Sequence, residues 1–62
     1  MKNNWVRMER AFPMWINRIT NGTVTILKAR GNYIVYTDRD KKFAFTRNQA
    51  FRLARDYMKF YN

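Results

Sequence analysis

Residues 14–37 constrain the fold more than any other part of the chain. They hold three runs rich in β-branched and aromatic side chains: Met14 to Ile19, Val24 to Ala29, and Tyr33 to Thr37, with a short turn between neighbours. Such side chains suit a pleated, half-buried surface, so the stretch predicts a three-stranded antiparallel meander. Asn21-Gly22 reads as the first turn, because a type I′ hairpin needs positive φ at both central residues. Gly31-Asn32 suits the second turn for the same reason. These turns set the expected pairing. Thr20 faces Thr23, Arg18 faces Thr25 and Ile16 faces Leu27; then Ala29 faces Ile34 and Leu27 faces Tyr36. One sheet face receives Trp15, Ile19, Val24, Ile26, Val35 and Tyr33. The other receives Met14, Ile16, Arg18, Thr25, Leu27, Ile34 and Tyr36. The first face is β-branched at its centre and is the expected core.

The flanking segments extend or cover this sheet. Residues 1–4 read as a frayed end. From Trp5 to Phe12 the chain alternates as a strand would, yet Trp5, Met8 and Phe12 also fit helical spacing, and both readings stand. Pro13 cannot donate to a ladder, which places it at an edge. Asp38-Arg39-Asp40-Lys41-Lys42 reads as a charged turn, followed by a short strand at Phe43-Ala44-Phe45. Thr46-Arg47-Asn48-Gln49 matches the capping box, with Thr46 as N-cap and Gln49 reaching back. The helix it opens runs to about Tyr61, with Ala50, Leu53, Ala54, Tyr57, Met58 and Tyr61 on one face. The expected architecture is α+β: an antiparallel sheet of three to five strands with the C-terminal helix packed on one face, as one domain over residues 1–62.

The charge balance then limits function. Lys and Arg number 13 against 4 Asp and Glu, a net charge of +9 with a pI near 10.7. Solubility alone asks for a magnitude of ~2–8, so the excess points to a polyanionic partner. The cations run through every predicted element, which argues against a basic tail. Arg18, Lys28, Arg30, Lys41, Lys42, Arg47, Arg52 and Arg55 are the candidate phosphate contacts. Arg52, Arg55 and Lys59 form a stripe that also suits the helix dipole and a solvated surface. Arg47 differs, because a cation in the first turn opposes the dipole at a cost of up to ~1 kcal/mol. An incoming phosphate, met by the free N–H groups of that turn, would reverse the penalty.

Catalysis has little to stand on. The chain contains no Cys, His or Ser, so thiol, imidazole and serine chemistry are excluded, as are disulfides and Cys/His metal sites. Its two glycines are used by turns and no phosphate loop remains. Glu9, Asp38, Asp40 and Asp56 are scattered among cations. No apolar run approaches the ~20 residues of a membrane span, and no signal-peptide core follows Met1. The expectation is a non-catalytic, cytoplasmic binding protein without cofactor, metal or small-molecule substrate.

Two partners fit such a chain. A nucleic acid, DNA or RNA, would meet the cations, with single strands stacking on Tyr36, Trp15 or Tyr33. An acidic protein would instead dock on an apolar patch of Ile16, Leu27, Ile34 and Tyr36, and a homodimer is a variant of that reading. The same patch would vanish if the N-terminal segment folded across it. An anionic membrane surface is a third partner, but the helix's apolar face is needed by the sheet. From Trp15 to Tyr61 the strand-turn-strand-turn-strand-helix order resembles the arm-binding domains of phage tyrosine integrases and plant AP2-type domains. That resemblance implies a sheet laid in the DNA major groove; the added strand and the N-terminal segment depart from it. In size and basicity the chain is also similar to small bacteriophage proteins that act on a host.

Overall fold

A computed structural model describes residues 4–61. Five strands, β1 (Trp5–Arg7), β2 (Met14–Asn17), β3 (Thr23–Ala29), β4 (Asn32–Thr37) and β5 (Lys41–Ala44), precede one helix, α1 (Arg47–Phe60). The strands form one antiparallel meander in the order β1-β2-β3-β4-β5. The helix packs across one face of it, as the sequence predicts.

The core lies between these two layers. Val24, Ile26 and Val35 from the sheet meet Ala50, Ala54 and Tyr57 from the helix, and Trp5 and Ala44 close the two sides. Small Ala50 and Ala54, both fully buried, let the helix backbone approach the sheet closely. Trp5 sits 6.3 Å from Tyr57, edge to face, and its indole N–H donates to the Met58 carbonyl at 3.0 Å. That bond satisfies one of the carbonyls a helix end leaves open. Residues 5–7 are strand, paired with β2, and residues 8–12 are neither helix nor strand, so the expected element to Phe12 is corrected to three residues. The expected frayed end is corrected at Asn4, whose carbonyl accepts from the Arg18 N–H at 2.9 Å; the rest of that expectation, at residues 1–3, lies outside the described residues.

The turns differ from expectation in an instructive way. Met14 pairs with Thr25, Trp15 with Val24 and Ile16 with Thr23. Strand β2 ends at Asn17, and residues 18–22 form a longer loop instead of a two-residue hairpin. Asn17 is the reason. It is fully buried, and its Oδ1 accepts from the Ile19 and Thr20 N–H groups at 2.8 and 3.0 Å. Its Nδ2 donates to the Tyr61 carbonyl at 3.4 Å. Asn side chains commonly start turns this way. Asn21 still takes positive φ, at 63°, but Gly22 does not. Ile19, expected in the core, is consequently 73% exposed, and Arg18 leaves the sheet for the loop.

At the second turn Ala29 pairs with Asn32, Lys28 with Tyr33 and Leu27 with Ile34. The two turn residues are thus Arg30 and Gly31, with Gly31 at φ 80°. Positive φ at the second central position alone is the type II pattern. The third turn closes earlier than expected: Thr37 Oγ1 accepts from the Arg39 and Asp40 N–H groups at 3.2 and 3.0 Å. Lys41 and Lys42 therefore lie in β5, paired with Tyr36 and Val35, and Phe45 falls outside it. The shifts at the first two hairpins are by an even number of residues, so each side chain that stays in a strand keeps its face.

The N-cap half of the expected capping box forms, while Gln49 reaches back one residue past the N-cap. Thr46 Oγ1 accepts from the Gln49 N–H at 3.1 Å, and Gln49 Oε1 accepts from the Phe45 N–H at 3.0 Å.

Candidate functional site

The alternation of the strands divides the surface into two unlike sides. On the helix side, Arg7 pairs with Trp15 in the sheet, Lys28 with Tyr33, and Lys42 with Val35. Each is exposed, and with Arg47, Arg52, Arg55 and Lys59 of the helix they make this side basic. Acids are sparse here. Asp56 is exposed on the helix, and Lys42 to Asp40, at 3.9 Å, is the one ion pair among the described residues. Exposed as it is, that pair neutralises little.

Part of this basic side is a groove of about 160 Å³. Phe12, Pro13, Tyr33 and Phe51 line it, with Lys28 and Arg47 among them. Two features bring these groups together. The Pro13 carbonyl accepts from the Ile26 N–H at 2.9 Å, tying the 8–13 loop to β3. The first turn of the helix, which carries no acid, starts just after β5. Phe51 is held edge to face against Trp15 at 5.8 Å. Arg7 lies 5.2 Å from the Trp15 ring centre and Arg47 lies 4.6 Å from that of Phe51. The result is a cation–ring–ring–cation ladder across the seam between sheet and helix. Such contacts fix both guanidinium groups and are worth ~0.5–1 kcal/mol each where exposed.

The other side has no element over it among the described residues. Register places Val6 beside Ile16, Met14 and Thr25 beside Tyr36, and Leu27 and Ile34 beside Phe43. Val6 is 40%, Tyr36 38% and Phe43 59% exposed. Lys41, at the β5 margin with its amine 5.9 Å from the Phe43 ring, is the cation on this face. The N-terminal segment does not cover the patch; it joins the sheet as an edge strand beside β2.

The predicted phosphate contacts are thereby sorted. Lys28, Lys42, Arg47, Arg52 and Arg55 share the helix side. Arg18 and Arg30 stand in loops at opposite ends of the sheet, and Lys41 lies on the apolar face. The apolar candidates Ile16, Leu27, Ile34 and Tyr36 do share one face. Of the proposed stacking residues, Trp15 already carries Arg7 and Phe51, Tyr36 is on the apolar face, and Tyr33 lines the groove. Sequence reasoning omitted Arg7 and Phe12 from the site; the alternation that puts Arg7 beside Trp15 was the available signal. The apolar sheet face also departs from the major-groove arrangement that the resemblance implied, since one marginal lysine cannot hold a sheet on phosphates.

Among the described residues no group of His, Cys, Asp and Glu side chains could hold a metal, and no helix is long and apolar enough to cross a membrane. No protein-family model, curated protein or solved structure matches the chain.

Proposed function

We propose that this chain is a non-catalytic nucleic-acid-binding protein whose contact surface is the helix side. One observation carries the reading: Arg7, Lys28, Lys42, Arg47, Arg52, Arg55 and Lys59 share that side with a single weak ion pair among them. Uncompensated cations on one layer present a potential that a phosphate backbone neutralises with release of its counterions. Lys28 and Arg47 would position phosphates at the groove, and the helix N-terminus would add its free N–H groups. Arg52 and Arg55 would follow the strand along the helix. Tyr33 and Phe12 offer a base an apolar wall between those cations, which favours a single strand or a flipped base. Contacts of this kind set affinity and register and carry little sequence information.

Anisotropy titrations against duplex DNA, single-stranded DNA and RNA test the reading. With roughly five phosphates neutralised, log K against log salt should fall with a slope of about −3.5 for single strands. Absence of binding at ~50 mM salt, where such contacts are strongest, would remove the proposal. Under this reading the protein works in the cytoplasm, a host's if the chain is of phage origin.

A second reading, docking on an acidic host protein through Ile16, Leu27, Ile34 and Tyr36, is favoured by the clustering of those residues on one sheet face, where the first three are half-buried and Tyr36 is exposed. Against it, the cations that would steer an acidic surface stand mostly on the opposite side.

A further inference from the structure

The groove on the helix side has a size and a lining that specify more than a phosphate. Buried Ile26 and half-buried Phe51 belong to its apolar lining. Tyr33 stands beside Lys28 across the β3–β4 pair, and Phe12 and Pro13 approach from the 8–13 loop. That loop is tied at both ends. The Met8 N–H donates to the Met14 carbonyl at 2.8 Å, and the Pro13 carbonyl accepts from the Ile26 N–H at 2.9 Å. The wall carrying Phe12 is thus built before a ligand arrives, which spares part of the ordering cost of binding. Among the described residues no acid lines the groove. Its two cations come from different layers, Lys28 from β3 and Arg47 from the first turn of α1.

We propose that this groove is a subsite for one pyrimidine base of a single strand, with the phosphates on either side of that base meeting Lys28 and Arg47. Volume decides the class of base. A cavity of ~150 Å³ admits one benzene-sized ring, and the groove offers about 160 Å³. Drug-sized ligands ask for ~300 Å³ or more, so a base enters while its sugar and phosphates stay at the mouth. A fused purine exceeds the space and leaves its second ring outside. The lining matches this division: apolar groups for the faces of a ring, and two cations for the two charges that flank a base within a strand. Stacking on an open surface would select the reverse, because a purine offers the larger face. The assignment rests on the nucleic-acid reading of the helix side and adds to it the base and the place where it is held.

Anisotropy titrations with oligo(dT), oligo(dA) and an abasic strand of the same length test the subsite. Oligo(dT) should bind at least about fivefold tighter than oligo(dA), and the abasic strand should bind weakest. All three should share one salt slope, because their phosphates are the same. Phe12 is 38% exposed, so Phe12→Ala removes a groove wall with little cost to the fold. That variant should bind oligo(dT) about five- to tenfold more weakly and lose the preference over oligo(dA), with the salt slope unchanged. Phe12→Tyr, which keeps the ring, should retain both affinity and preference. Phe60→Ala, at an exposed ring in the last turn of the helix, should alter neither. Equal or tighter binding of oligo(dA) overturns the subsite and leaves the phosphate contacts standing. A preference for oligo(dT) that survives Phe12→Ala does the same, since it then comes from the stiffness of the strand. Binding to none of the three strands removes the nucleic-acid reading, and the subsite with it.

Discussion

Asn17 shows how much of this fold one side chain decides. It is fully buried, holds two loop N–H groups and reaches the carbonyl of Tyr61 beyond the helix. Asn17→Ala would remove all three of these bonds, each worth ~0.5–1.5 kcal/mol net. In a domain whose stability is ~5–15 kcal/mol at most, that is a visible loss. Urea denaturation should show a lower midpoint with little change in slope. Gly22 is a second such position: an added Cβ would collide with the Asp38 carboxylate and lie 3.1 Å from Thr20 Oγ1. Asp38 Oδ1 also accepts from the Thr23 N–H at 2.7 Å, so Gly22→Ala would disturb the link between two hairpins. The sequence makes Asn21-Gly22 look like the turn's centre because local φ preference is visible in a dipeptide. What overrides it is a buried amide four residues earlier, whose partners come from the loop and the far end of the helix. Nothing local to residues 17–23 announces that Tyr61 will be there.

At the scale of elements, legibility follows the range of the interactions involved. The helix start was readable because Thr46 and Gln49 act on N–H groups within four residues of themselves. The sheet faces were readable because side-chain direction in a strand repeats every second residue. The even register shifts left Trp15, Val24, Ile26 and Val35 on the core face despite the wrong pairing. Strand β1 was ambiguous because three residues carry too little periodicity, and its place is set by Trp5 reaching Met58. Two predictions belong here. Thr46→Ala removes the cap and should cost ~1 kcal/mol of stability, read as a shift in thermal midpoint. Arg47→Glu should have opposite effects on two measurements. An acid in the first turn gains up to ~1 kcal/mol from the helix dipole, offset in part by the lost contact with Phe51. The same change should weaken nucleic-acid binding more than neutralisation to Gln does, because it adds repulsion at a phosphate site.

For the whole molecule, the decisive property is the separation of charge from apolar surface. Composition displays the charge without revealing that the helix side holds most of it. That sorting depends on the position of β1, on Lys42 lying within a strand, and on Arg18 leaving the sheet. Two-sidedness gives the account a clear consequence: changes on one side should affect one property. Substituting Arg52 and Arg55 by Gln should lower affinity for any nucleic acid and reduce the salt slope by about 1 per lost contact. Phe43→Glu, on the opposite face at an exposed position, should leave that salt slope nearly unchanged.

The most direct test is the salt dependence of single-stranded nucleic-acid binding, measured for the natural chain and for a Lys28→Gln, Arg47→Gln, Arg55→Gln triple variant. The account predicts a steep negative slope for the natural chain, shallower by about 2 in the variant. A slope that is flat, or one that stays the same when these three cations are removed, would contradict it.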